Sequence, residues 1–153
     1  MISVDGVKPD NFVFPAILKA VTELNDVNLG KQVHAHVVKF GYGSNSTTVE
    51  NTLVTMYGKC GEIWNAQKVF DEMPERDQVS WNSYIMVLCR NEMWDEGLEV
   101  FRVLLRDGRV ECSSFTLVSV VSACGNLQGG EWFRLGKETH GYCLRKGFVT
   151  TYT

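Results

Sequence analysis

Apolar positions along this chain recur at helical spacing, and the stripes come in pairs. Phe14, Ile17, Leu18 and Val21 make one stripe, and Leu29, Val33 and Val37 a second. Leu53, Met56 and Tyr57 are followed by Ile63, Ala66, Val69, Phe70 and Met73. Trp81, Ile85 and Leu88 are followed by Trp94, Leu98, Phe101 and Leu105. Leu117, Val120, Val121 and Cys124 precede Leu135 and the apolar residues 142–144. Gly41, Gly108 and Gly147 each follow a stripe with Lys or Arg in its last turns, a common way for a helix to end. Gly61 separates two stripes, and Pro74 should stop the helix before it, since it lacks an N–H and clashes with the preceding turn. Nothing resembles two alternating strands around a hairpin turn. The pattern predicts an all-α chain of eight helices in four antiparallel pairs.

The pairs repeat in sequence as well as in period. Residues 12–24 read F-V-F-P-A-I-L-K-A-V-T-E-L, and 115–127 read F-T-L-V-S-V-V-S-A-C-G-N-L. Residues 29–41 read L-G-K-Q-V-H-A-H-V-V-K-F-G, and 135–147 read L-G-K-E-T-H-G-Y-C-L-R-K-G. Two shorter related units lie between these copies. Tandem units of roughly 31–38 residues predict a stacked array in which each unit buries its apolar face against its neighbours. This moves the functional question from a pocket to a surface. The last unit carries an extra G-G-E-W-F-R stretch at 129–134, expected in its inter-helix turn. Residues 6–10, G-V-K-P-D, read as the tail of a preceding unit, and neither end reads as a polar cap, so a segment of a longer array is expected.

Composition narrows the possibilities. Apolar residues make up 44% of the chain, ordinary for a folded protein. No run of about 18 apolar residues occurs, so no membrane-spanning helix is expected. The first ten residues have neither the basic nor the apolar region of a secretory signal, and are too short and acidic for an organellar transit peptide. A net charge of −3 argues against a protein that holds nucleic acid mainly by neutralising phosphates. It leaves open one that reads bases by hydrogen bonds and stacking. Cys60, Cys89, Cys112, Cys124 and Cys143 are odd in number and scattered without a C-x-x-C, which fits free thiols in a reducing compartment. Cys89, Cys124 and Cys143 are expected to pack as small apolar groups.

The segments V-S-W-N-S-Y-I (79–85), M-Y-G-K-C-G (56–61), K-V-F-D-E-M-P-E-R-D (68–77) and 29–41 strongly resemble pentatricopeptide repeats. The order of unit lengths is similar to the plant subclass that alternates long, short and standard motifs. The frame is 1–10 for the tail of a preceding repeat, 11–46 long, 47–77 short, 78–113 standard and 114–151 long. The confusable tetratricopeptide signature W-x₂-L-G-x₂-Y is absent. The resemblance implies a right-handed α-solenoid that binds single-stranded RNA at about one base per repeat. In such repeats the fifth and last residues face the base edge, and the second residues stack on base faces. That assigns base reading to Asn51 with Asp77 and to Asn82 with Ser113, and stacking to Thr48, Val79 and Phe115. The family's recognition pattern favours uracil for Asn with Asp and cytosine for Asn with Ser, a local 5′-U-C-3′. An amide offers both donor and acceptor, so the chemistry suits a pyrimidine edge. The long motifs place Pro15 with Ser46 and Val118 with Thr151, and neither Pro15 nor Val118 can hydrogen-bond a base through its side chain. The ending G-R-V-E-C-S (108–113) departs from the usual G-V-K-P-D and weakens the frame at Ser113. The resemblance also implies an organellar protein of chloroplast or mitochondrion that positions transcripts for C-to-U editing or other processing, with other editing factors as further partners.

Plainer readings stand beside these. Asn51 and Asn82, near helix starts, could cap or simply be solvated, and Asp77 lies in a turn where Asp is common. His34 and His36, two apart on a helix, do not share a face, so no metal site is expected and a polar helix surface is the reading. The four tryptophans are expected in core or inter-repeat packing, and Lys31, Lys39, Lys59, Lys137, Arg145 and Lys146 on a solvated face. There is no H-x-E…C-x-x-C, G-x-S-x-G or phosphate-cradling glycine loop, so the segment is read as non-enzymatic, with no cofactor, small-molecule substrate or membrane partner. The rival function is a helical-repeat scaffold for protein partners, which the negative charge and the two non-coding long motifs leave open.

Overall fold

The computed structural model describes residues 12–42, 46–127 and 130–147. The expected tail at 6–10, and Thr151, lie outside them. The described residues form eight α-helices and no strand. They fall into two compact units, 1–76 and 77–153. In the first unit, α1 (Val13–Leu24) and α2 (Val27–Lys39) form one hairpin, and α3 (Thr47–Lys59) and α4 (Ile63–Glu72) another. In the second, α5 (Gln78–Arg90) pairs with α6 (Trp94–Asp107), and α7 (Ser114–Asn126) with α8 (Gly130–Arg145). Within each unit the first helix of one hairpin packs on the first helix of the next, α1 on α3 and α5 on α7. The second helix also reaches the following hairpin, α2 touching α3 and α6 touching α7. No helix among the described residues is long and apolar enough to cross a membrane.

The cores are built from the predicted stripes with small rotations. Phe14, Leu18, Val21, Val37, Leu53, Met56, Tyr57, Ala66, Val69 and Phe70 are buried in the first unit. Trp81, Ile85, Leu88, Leu98, Phe101, Leu104, Leu117, Val120, Ala123 and Leu135 are buried in the second. Each large side chain taken fully from water contributes about 1.5–3 kcal/mol, so each hairpin rests on several such groups. Ile17, Leu29 and Val121, expected inside, are exposed. At Leu29 the cause is the next residue: Gly30 faces α3 so closely that a Cβ there would lie 2.6 Å from Met56 Sδ. A glycine thus takes the inward position that periodicity gave to leucine. Trp64 is 77% exposed, against the expectation of core packing, whereas Trp81 is buried. Cys89, Cys112 and Cys143 are buried, Cys124 is only half-buried, and all five thiols are free. Burial pushes the Cys89 and Cys112 thiols up to about 11.

Helix ends follow local chemistry. α2 closes at Gly41, φ 76°, whose N–H donates to Val38 O while that of Tyr42 donates to Val37 O. α4 ends at Glu72 before Pro74, and Arg76 donates to the carbonyls of Phe70 and Asp71, each at 2.9 Å. The turn after α3 uses Gly61 at φ 76°, but the corresponding turn after α5 places Glu92 at φ 62°, a left-handed conformation that costs an L-residue about 1–2 kcal/mol. The expected turn at 129–134 is corrected: α8 begins at Gly130 and absorbs the extra residues as an additional helical turn.

Candidate functional site

The sequence-predicted residues lie at or near the starts of α3 in the first unit and of α5 and α7 in the second. Asp77 is the N-cap of α5, and its Oδ1 accepts from Ser80 N at 2.8 Å and from Ser80 Oγ at 2.9 Å. Asp77 N donates back to Ser80 Oγ at 3.1 Å, which completes a capping box. Ser113 is the N-cap of α7: its Oγ accepts from Thr116 N at 3.2 Å and lies 3.0 Å from Thr116 Oγ1. Ser46 caps α3 without a side-chain bond. Of the four residues expected at the last position of a motif, the three that are described, Ser46, Asp77 and Ser113, all start helices.

Asn51 and Asn82 are the fifth residues of α3 and α5, and neither caps its helix. Asn82 is half-buried, and its Oδ1 accepts a hydrogen bond from the Thr116 hydroxyl. Thr116 therefore touches both Ser113 and Asn82, which are 31 positions apart, and joins them in one polar cluster within the second unit. Asn51 is 7% exposed, so it offers a solvent-borne partner far less of its amide than Asn82 does. Val118, the fifth residue of α7, is exposed. Thr48, Val79 and Phe115, the second residues of their helices, are all exposed, Val79 at 55% and Phe115 at 74%. An aromatic ring so exposed on the first turn of a helix is available to an external flat group.

The cations are mostly engaged. Lys31 pairs with Glu62 at 3.0 Å, Lys59 with Glu23 at 3.6 Å, and Lys146 with Glu111, while Lys137 lies 4.6 Å over the Phe133 ring. These pairs hold the Glu62 and Glu111 carboxyls below the usual range, chiefly through the lysine hydrogen bonds. No group of three or more metal-ligating side chains occurs among the described residues.

One cluster escaped the sequence reading. His34, expected on a polar helix surface, is half-buried, with Nδ1 2.9 Å from the Tyr57 hydroxyl and its ring edge-on to Tyr57. It lines a cleft of about 190 Å³ with Val38, Glu50, Leu53, Val69 and Glu72. Burial lowers the His34 pKa and raises that of Glu50. The only hint in sequence was a histidine one position after Val33 on an inward-turning stripe. Periodicity alone assigns such a residue to neither face.

Comparison with known proteins bears on the repeats. The PPR repeat profile matches residues 51–77 and 79–109. The chloroplastic pentatricopeptide repeat-containing protein At3g57430 of Arabidopsis thaliana is 58% identical over 147 residues, 96% of this chain and 16% of its own length. A second chloroplastic Arabidopsis thaliana protein of that description, At1g15510, is 44% identical over 97% of this chain and 17% of its own length. The chain thus spans less than a fifth of either relative. The crystal structure of the maize pentatricopeptide repeat protein PPR10 superimposes with a TM-score of 0.74 at 25% identity, over 96% of this chain and 21% of that one. PPR10 is also known in complex with an 18-nucleotide psaJ RNA element, a structure that matches at 0.74 and 24% identity over 95% of this chain and 21% of that one. The fold class expected from the stripes, an α-solenoid of helix hairpins, is the fold of this chain. By repeat profile and close relatives alike, the chain belongs to the pentatricopeptide repeat family.

Proposed function

We propose that this chain binds single-stranded RNA, with Asn82 and Ser113 reading one base and Asn51 and Asp77 the base before it. The observation that carries this reading is the convergence of Asn82, Thr116 and Ser113 into one polar cluster beside exposed residues of α5 and α7. A flat base resting on Val79 or Phe115 would bring its edge toward such a cluster. The complex of PPR10 with RNA supports the same ligand class. The motif frame, the alternating long, short and standard subclass, and the 5′-U-C-3′ preference belong to this proposal. So does an organellar setting, which the chloroplastic relatives support, and a role in placing transcripts for C-to-U editing or other processing. No catalytic residue is proposed.

Burial orders the two readers. Asn82 is the better placed, and Asn51 would need its surroundings to give way before meeting a base. Affinity is expected to be modest. At about 1–3 kcal/mol per base contact, two readers supply about 2–6 kcal/mol, which corresponds to roughly millimolar binding or weaker. Nuclear magnetic resonance titration with short oligonucleotides suits that range. Octacytidylate should shift the α5 and α7 amides of the wild-type chain, and Asn82→Ala should weaken this several-fold while Lys39→Ala should not. Equal shifts in all three proteins would remove Asn82 as a reader and favour the protein-scaffold function, for which exposed Trp64 on α4 is the first surface to probe.

A further inference from the structure

Two helix starts in the second unit share a design and differ in one respect. At α5 the cap is Asp77, a pure acceptor when ionised. It takes the Ser80 hydroxyl proton at 2.9 Å, so that hydroxyl oxygen has only lone pairs left to offer. At α7 the cap is Ser113, which brings a hydroxyl proton of its own. Ser113 Oγ already accepts the Thr116 N–H at 3.2 Å, so its proton is free to go to Thr116 Oγ1 at 3.0 Å. The Thr116 proton then goes on to the Asn82 carbonyl. The hydroxyl three residues past the cap thus points its proton toward the cap when the cap is Asp, and away from it when the cap is Ser.

We propose that Thr116 is a positioning residue through which Ser113 sets the hydrogen-bonding edge that Asn82 presents. The inference rests on the base-reading proposal above. With its carbonyl held by Thr116, Asn82 turns its Nδ2 donors outward, where they suit the acceptor N3 of cytosine and oppose the N3–H of uracil. An acidic cap at 113 would draw the Thr116 proton back, as Asp77 draws that of Ser80, and release the Asn82 carbonyl to accept from uracil. The cap therefore acts on selectivity from behind the fifth residue, through a threonine that is fully buried.

A double-mutant cycle tests this. Asn82 side-chain amide resonances would be followed on titration with octacytidylate and with octauridylate, for the wild-type chain, Ser113→Asp, Thr116→Val, the double variant and Thr116→Ser. The wild type is expected to prefer octacytidylate at this resonance by roughly two- to tenfold, the worth of one net hydrogen bond. Ser113→Asp should move that ratio toward uridylate when Thr116 is present and leave it unmoved when Val stands at 116. Thr116→Ser keeps the hydroxyl and should behave as wild type. Thr116→Ala replaces Thr116→Val if the latter loses helicity by circular dichroism. An equal shift on Ser113→Asp in both backgrounds would overturn the relay and leave base reading intact, since Ser113 would then act directly. A wild-type chain with no preference at the Asn82 resonance would overturn the relay and the base-reading proposal together.

Discussion

Burial beside Tyr57 lowers the His34 pKa because desolvation penalises the imidazolium; Glu72 opposes the shift and Lys68 adds to it. The unfolded chain therefore takes up the proton first as pH falls through about 6.5. Stability tied to the neutral ring is present above that pH and is lost as pH drops toward the lowered folded value. Glu50, whose pKa is raised by burial, acts in the opposite sense at more acidic pH, where its protonation favours the fold. Urea denaturation at pH 7.5 and pH 6 should show the wild type losing stability at the lower pH, and His34→Gln losing distinctly less. The same loss in both proteins would place the titrating group elsewhere. The sequence could not assign this residue, because the face of α2 that turns inward is decided by Gly30. A position without a side chain leaves no mark in a hydrophobic pattern, yet it lets α2 approach Met56 closely. Asn82 was legible as a candidate from its place in a repeat. The role of Thr116 was not, because the contact joins residues 34 apart that only the packing of α5 on α7 brings together.

The starts of α5 and α7 carry chemically distinct caps, Asp77 and Ser113, and Asp77 was readable as a turn-forming residue before any fold was known. The capping box at Asp77 satisfies Ser80, which is fully buried, as well as an otherwise unpaired N–H. Asp77→Ala should destabilise the second unit by about 1–2 kcal/mol, while Asp77→Asn should recover most of that. Urea denaturation followed by circular dichroism would measure both; a loss below about 0.3 kcal/mol for the alanine variant would mean the box contributes little. Helix stops at Gly41, Gly61 and Pro74 were equally legible, because glycine and proline act on their own backbone. The turn at Glu92 was not, since backbone bonds from Glu92 N to Cys89 O and from Met93 N to Leu88 O close it around a residue that local preference disfavours. The start of α8 was misread for a related reason. A Gly-Gly pair suggests a turn, but Phe133 and Arg134 continue a helix that buries Leu135.

At the scale of the molecule, a net charge of −3, with Lys59, Lys31 and Lys146 paired with Glu23, Glu62 and Glu111, argues against binding carried mainly by phosphate neutralisation. RNA affinity should therefore depend weakly on salt. The slope of log K against log salt is expected to be no steeper than about −2, since a single strand contributes about −0.7 per neutralised phosphate. A slope beyond about −4 would mean that charge, not base edges, dominates binding. The fold at this scale was the most legible feature of all, because repetition multiplies a weak local signal by the number of copies. The two cap residues Asp77 and Ser113 carry one further implication. If a cap both starts a helix and tunes a reader, its choice is confined to side chains that can do the first job: Asp, Asn, Ser and Thr. Retargeting such an array would then mean moving among four letters that folding already accepts, with differences of a few tenths of a kcal/mol between good caps. A recognition vocabulary written in helix caps can drift from one RNA to another with no unstable intermediate on the way.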